Sequence, residues 1–441
     1  SPPAAGGPPG LAALLDGILT EARRAKRPPP CFSFCPECLH SPPRGPGRNH
    51  QTNDKQKHHP MTAPTPAAPP PAPTASIPQN APPERRINSK IVLVGLDLGT
   101  NKSCLIAGAP DSTDIVIGKV LPSTVGYVKP GIVNGIVPGN ADVLFGDDAI
   151  RCALHVELVA PLRHGVIYDA RATRDLLRHL RKLVDPTGQA EIRAVIGVPA
   201  NTATEAREQI RRAVVGAFER VLLIPEPFLA AIGVRDDARL GQSQYVDPVS
   251  NSLIIDIGAG TTDLCLVQGY FPTAEDQVSF PFAGDAVDNL LHNAISQLYP
   301  DCNLDPLTVR QIKEAHAYCG AIRKPIDVKI VLGGKARTLE LGEVIGNACN
   351  QLVDQIFEHA KHLIARVPNH SVVQLLQNII VTGGGSQIRG IDGELQARFA
   401  ADGYESPKVR VAGADYQRYC AIGALKAARA ARENQWQYVV G

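Results

Sequence analysis

From about Asn88 onward the chain switches repeatedly between short apolar runs and amphipathic stretches. The runs IVLVGLDL, AVIGVP, LLIP, SLIID and NIIVT are rich in branched side chains and end at Gly, Pro or Asp, which predicts buried strands. Between them, apolar residues recur at helical spacing. ATRDLLRHLRKLV sets Leu176, Leu177, Leu180 and Leu183 on one face, and TATEAREQIRRAVVGAF, FLAAIGV, LTVRQIKEAHAYCGAI and LGEVIGNACNQLVDQIFEHAKHLIARV read as further helices. A last helix, AIGALKAARAAR, is expected to start near Gly423. SCLIAGAP reads as the second strand of a hairpin, residues 328–340 as another hairpin, and residues 120–164 as a turn-rich inserted subdomain with one short helix. Strands alternating with helices predict an α/β fold.

One strand-to-turn pattern occurs twice. IVLVGLDLGTNKS carries its carboxylate at Asp97, and NSLIIDIGAGTTD carries its own at Asp256. A phosphate chain needs several backbone N–H groups aimed at one spot, and only a turn free of Cβ obstruction lets the main chain approach that closely. Gly99 supplies that freedom in the first turn, Gly258 and Gly260 in the second, around Asn101 and Ala259. Thr100, Thr261 and Thr262 add hydroxyl donors, and Lys102 adds a charge that the second turn lacks. Asp97 and Asp256, at strand ends, are placed to hold waters of a Mg²⁺ ion, with Asp263 a weaker candidate. Either turn alone is equally an ordinary hairpin turn; two of them point to a nucleotide clamp.

Further candidates lie between and after these turns. In LLIPEPFLAAIGV, Pro227 suits a first helical turn and Glu226 sits beside the positive end of the helix dipole. Glu226 is thus either a helix-start carboxylate or the group that orders an attacking water. Gly284 and Asp285 open another helix, Lys313 and Glu314 are either ribose and base contacts or solvated helix charges, and Gly383, Gly384 and Gly385 let a flat adenosine lie against the backbone.

The 441 residues, 44% of them hydrophobic, can fill more than one core, and a net charge of +2 without an aromatic stripe argues against nucleic acid as a partner. Seven of the ten cysteines (Cys104, Cys152, Cys265, Cys302, Cys319, Cys349, Cys420) are scattered singly, as reduced thiols in a cytoplasmic protein would be. With no run of eighteen apolar residues, membrane insertion is not expected.

Residues 1–60 read as a doubtful, disordered extension, since the only methionine is Met61, and residues 61–87 as a disordered Pro/Ala-rich arm. Within the extension, Leu11, Leu14, Leu15, Ile18 and Leu19 share a helical face ahead of a basic tail; a chance amphipathic segment is preferred to a membrane-surface helix. Cys31, Cys35, Cys38 and His40 have zinc-ligand types but lack a distant second pair, so no metal is expected there.

Taken together, GLDLGTNKS, AVIGVPA (194–200), EPFLAAIG (226–233), IIDIGAGTTDLC (254–265), EDQVSFPFAG (275–284) and LQNIIVTGGGSQIRG (376–390) resemble the superfamily of actin, DnaK-type chaperones and sugar kinases. Within it the chain is most similar to the bacterial actins of the magnetosome-filament (MamK) type, with the MreB-type cell-shape actins next. The resemblance covers about residues 90 to 430, and NKS departs from the commoner Thr- or Ser-rich ending of the first turn.

It implies an actin-like ATPase fold, two ribonuclease H-like domains about a nucleotide cleft. Domain I would span 88–244 with the return 409–441, and domain II 245–408. It also implies ATP and Mg²⁺ as ligands, with Asp97 and Asp256 at the metal, the two turns and Gly284 at the phosphates, Glu226 hydrolytic, Lys313 and Glu314 at ribose or base, and Gly383 to Gly385 at adenosine. The implied function is a cytoplasmic, cytoskeletal filament that assembles with ATP, with organelle-attached or regulatory proteins as further partners. A small-molecule kinase of the same fold would need a base for a substrate hydroxyl, and no extra strand-end Asp offers one. A chaperone would need a substrate domain beyond the closing helix, and a non-hydrolysing scaffold would not need Glu226.

Overall fold

A computed structural model describes residues 11–16, 87, 89–321 and 325–439. The zinc-type cluster at Cys31 to His40, Ile18, Leu19, and the Pro/Ala-rich arm up to Arg86 lie outside the described residues.

The expected strand runs form two open sheets. In chain order the first part gives β1 (Ile91–Leu98), β2 (Lys102–Gly108) and β3 (Ile117–Pro122). The insertion adds β4 (Val125–Val128), β5 (Val143–Phe145) and β6 (Val156–Val159) as a separate three-stranded sheet, with the short helix Asp147–Arg151. A two-residue hairpin follows, β7 (Leu162–Arg163) and β8 (Val166–Ile167), then β9 (Glu191–Val198) and β10 (Arg220–Pro225). The second part contributes β11 (Ser252–Ile257), β12 (Thr262–Val267), β13 (Gln277–Phe280), the hairpin β14 (Asp327–Leu332) and β15 (Lys335–Glu340), β16 (Ile379–Thr382) and β17 (Val409–Val411). β18 (Gln437–Tyr438) returns to the first sheet.

The first sheet runs β18-β10-β9-β1-β2-β3 and the second β13-β12-β11-β16-β17. Their centres share one plan: β1 pairs antiparallel with β2 and parallel with β9, and β11 pairs antiparallel with β12 and parallel with β16. Burial on both faces explains why β1, β9, β11 and β16 read as nearly unbroken apolar runs.

Two helices connect the sheets. Helix Glu226–Val234 has six buried residues of nine, because it packs both on the C-terminal helix Tyr419–Ala430 and on β11 and β12. The two helices cross with their backbones in contact. A Cβ on Gly423 would overlap the Leu229 carbonyl oxygen, and one on Gly233 would overlap that of Tyr419. The C-terminal helix starts four residues before the expected Gly423, because Tyr419 and Cys420 are already needed at this crossing and on β1 and β9.

The reading of residues 1–60 as wholly disordered meets a different outcome at Leu11–Leu14. This helical turn buries Leu14 and Leu15 in the core beside Ala427, Ala428 and Trp436. Asp16 accepts hydrogen bonds from Arg432 (3.0 Å) and Gln435 (3.2 Å), so apolar burial and a charged end act together. The seven scattered cysteines are all free thiols. Among the described residues no helix is long and apolar enough to cross a membrane.

Candidate functional site

The shared plan of the two sheets places two carboxylates in equivalent positions. Asp97 lies opposite Cys104 on β2 and Gly197 on β9, while Asp256 lies opposite Asp263 on β12 and Thr382 on β16. Both turns open into one cleft of about 280 Å³, and Glu226 reaches the same space from the first turn of its helix.

A hairpin tip clasps the two turns together. At the β7–β8 connection, His164 and Gly165 both adopt positive φ (48° and 69°). His164 Nδ1 lies 3.1 Å from the Gly260 carbonyl oxygen, and Gly165 donates its N–H to Thr100 Oγ1 at 3.1 Å. Gly260 must lack a side chain, since a Cβ there would come within 2.6 Å of Thr100 Oγ1 and 2.7 Å of His164 Cα. Arg310 fastens the opposite side, donating to Asn101 (2.8 Å) and to Asp285 and Asp288 (3.1 and 3.3 Å).

Three carboxyls line the cleft, Asp97, Glu226 and Asp256, and a fourth, Asp263, is buried opposite Asp256 on β12. Burial pushes Asp97 up to about 7 and Asp263 up to about 6, the latter against hydrogen bonds from Thr261, Ser279 and the Ala200 N–H. Burial, then repulsion from neighbouring carboxylates, raises Glu226 and Asp256 well above the usual range. Asp97, Glu226 and Asp256 are half-buried and line the cleft, so a cation placed there would favour their charged forms. Among the described residues no three His, Cys, Asp or Glu side chains converge tightly enough to seat a bare ion. The carboxylate oxygens of Asp97 and Asp256 at one cleft are hard donors, the type that suits a divalent cation keeping part of its water shell, as Mg²⁺ does.

Nearly every residue singled out in the sequence lines this one cleft: Gly99 to Lys102, Gly258 to Thr261, Gly284, Lys313, Glu314 and Gly383 to Gly385, with the carboxylates Asp97, Glu226 and Asp256. Lys313 donates to the Gly284 carbonyl oxygen at 2.8 Å and forms an ion pair with Asp288 at 2.8 Å, which ties its helix to Gly284. That glycine's N–H and the Asp285 N–H are in turn given to the carbonyls of Gly258 and Ala259, so the helix start braces the second turn. In the glycine trio, Gly383 has φ +76°, and a Cβ there would overlap the Asp256 carboxylate. A Cβ on Gly384 would meet open space, which leaves that backbone accessible to a flat ligand.

Thr262 is a correction. It is fully buried and its hydroxyl donates to the Phe282 carbonyl at 2.8 Å, away from the cleft. Backbone alternation at the start of β12 is the cause: Thr262 faces away from Thr261, and Asp263 then shares the face of its partner Asp256. Sequence reading missed His164, Gly165, Arg310 and Thr382. The His-Gly pair in a turn was the one available signal for the clasp.

Comparison with known proteins follows this geometry. The family model described as MreB/Mbl protein matches residues 93–427. The chain is 31% identical over 307 residues to the actin-like protein MamK of Magnetospirillum gryphiswaldense, covering 68% of this chain and 79% of that protein. Among solved structures, a MamK double helical filament superposes with a TM-score of 0.67 at 28% identity, covering 76% of this chain and 98% of the other. A non-polymerising MamK mutant bound to AMPPNP gives 0.56 at 28% identity, covering 77% and 99%. The fold is that of the actin-like filament proteins.

Proposed function

This chain belongs to the MreB/Mbl protein family, and on that premise we propose that it is an actin-like ATPase that polymerises into filaments with ATP and disassembles on hydrolysis. The observation that carries this reading is the convergence of Asp97, Asp256 and Glu226, from two sheets of one plan, on a single cleft walled by glycine turns. The similarity to a MamK filament and to an AMPPNP-bound MamK supports it.

In this reading the backbone N–H groups of Gly99 to Lys102 and of Gly258 to Thr261 face the phosphates, with Gly284 bracing the second turn. A bound Mg²⁺ would neutralise phosphate charge. Asp97 and Asp256 would hold its waters. Glu226 orders a water in line with the terminal phosphate and takes its proton as the water oxygen bonds to phosphorus and the bridging P–O bond breaks. Lys313 and Glu314 face ribose or base, and Gly383 to Gly385 the adenosine.

Residues 88–244 with 409–441 act as one domain and 245–408 as the other, closing on the nucleotide. Subunits in that closed state associate head to tail, and a heterologous contact that does not close on itself yields a filament. We place the filament in the cytoplasm, organising magnetosomes or a similar intracellular structure.

The test is sedimentation and negative-stain imaging with ATP, with AMPPNP and without nucleotide. Filaments are expected with either nucleotide, persisting with AMPPNP; monomers in all three conditions at high concentration would end the proposal. Glu226→Ala is expected to polymerise but to slow phosphate release and disassembly, and unchanged release would remove Glu226 from its role.

A further inference from the structure

Among the described polar side chains that line the cleft and have no part in the proposed function, one is both buried and unpaired. Thr382, the last residue of β16, is 1% exposed, lines the cleft, and its Oγ1 has no hydrogen-bond partner. Hydroxyls nearby are engaged. Thr262 donates to Phe282, Ser386 to the Gly383 carbonyl, Ser103 pairs with Ser123, and Thr100 accepts from Gly165. A buried hydroxyl left unpaired costs about 1–3 kcal/mol, so one that faces a ligand cleft invites a partner from the ligand.

Register says what that partner is. Asp263, Asp256 and Thr382 stand side by side across β12, β11 and β16. The Asp256 carboxylate leans over Gly383, the residue next to Thr382, close enough that a Cβ there would overlap it. A phosphate oxygen at this spot would meet the carboxylate head on. A water in the shell of a divalent cation would not, because it is a strong donor with two protons to place. Asp256 accepts one of them, and a second acceptor that added negative charge would worsen the repulsion already present among four carboxyls.

Resting on the ATP and Mg²⁺ reading above, we propose that Thr382 is a positioning residue of the metal–nucleotide site. Its hydroxyl accepts the second proton of a cation-shell water whose first proton goes to Asp256. It acts as a neutral acceptor that fixes the orientation of that water, and with it the seat of the cation.

The test compares Thr382→Val, which keeps the shape and removes the hydroxyl, with Thr382→Ser, which keeps the hydroxyl. Protein is held below the assembly concentration, and ATP affinity is titrated against Mg²⁺ and again in EDTA. Thr382→Val is expected to need about tenfold more Mg²⁺ for half-maximal enhancement of ATP binding, the worth of one hydrogen bond. Thr382→Ser should lie near wild type, and all three should agree in EDTA. Without nucleotide, Thr382→Val should melt no lower than wild type, since an unpaired group has been removed.

Wild-type Mg²⁺ dependence in Thr382→Val overturns the proposal. So does a lower melting temperature in the nucleotide-free variant, which would mean the hydroxyl serves the fold, or an equal loss in EDTA, which would mean it touches the nucleotide itself. If wild type shows no Mg²⁺-enhanced ATP binding, the function proposed above fails, and this inference with it.

Discussion

Gly197→Ala tests the placement of Glu226 without removing its carboxylate. Gly197 lies one residue before the end of β9, opposite Asp97, with no positive φ, so alanine fits the strand. The new methyl would stand 2.9 Å from Glu226 Cγ, 3.7 Å from Oε1 and 2.8 Å from Cys420 Sγ. Unbonded carbons rest about 3.5–4.0 Å apart, so the Glu226 side chain must withdraw by roughly 0.6–1 Å. Its backbone cannot follow, because Leu229 and Gly233 are held against the C-terminal helix.

Displacement of a water-ordering group by about 1 Å costs on the order of 10²-fold in rate. Alanine also narrows the unfolded ensemble, contributing about 0.4–1 kcal/mol that offsets part of the crowding. The assay is single-turnover phosphate release beside an independent measure of ATP affinity. Release is expected to slow about 100-fold while affinity stays within about threefold. Adding Cys420→Ala, which frees space on one side, should recover part of the loss. A folded Gly197→Ala that releases phosphate within about twofold of wild type would refute the assignment of Glu226 to the attacking water.

Two further outcomes follow from the same geometry. Asp97 and Asp263 bind protons more tightly folded than unfolded, so their contribution to nucleotide-free stability is complete below the unfolded value of 3.8 and is lost as pH rises through about 6 and about 7. The nucleotide-free melting temperature should therefore fall between about pH 4 and about pH 7, with Mg²⁺ and ATP flattening the trend; a rising curve would contradict it. Gly423→Ala, whose methyl would overlap the Leu229 carbonyl, should force the two crossing helices apart at a cost of about 1–3 kcal/mol. Denaturant unfolding would show it, and unchanged stability would mean the crossing is looser than described.

Much of this site could be read from the chain because its parts sit where long apolar strands stop. Asp97 and Asp256 close β1 and β11, Glu226 follows β10, and Gly383 follows β16, so each was marked by an abrupt end of a hydrophobic run. His164 and Gly165 carried no such mark, since β7 and β8 are two residues each and too short to show a period. Arg310 looked like any helix-surface charge; only the folded chain brings it to Asn101. The misreading of Thr262 was avoidable, because neighbours in a strand cannot share a face. Leu14 and Leu15 were judged as an isolated amphipathic segment, and a stretch that short says nothing about a docking place formed hundreds of residues later by Ala427 and Trp436.

The helix that begins at Glu226 has a mechanical consequence. It lies against the C-terminal helix on one side, where main chains touch and no layer of side chains can yield, and against β11 and β12 on the other. Sliding this rod along the first sheet would require prying the Gly233 and Gly423 backbones apart, so it is fixed lengthwise at that crossing. Since Glu226, at the head of that rod, lines the cleft, any turn of the rod would re-aim the carboxylate that the proposed function sets before the terminal phosphate.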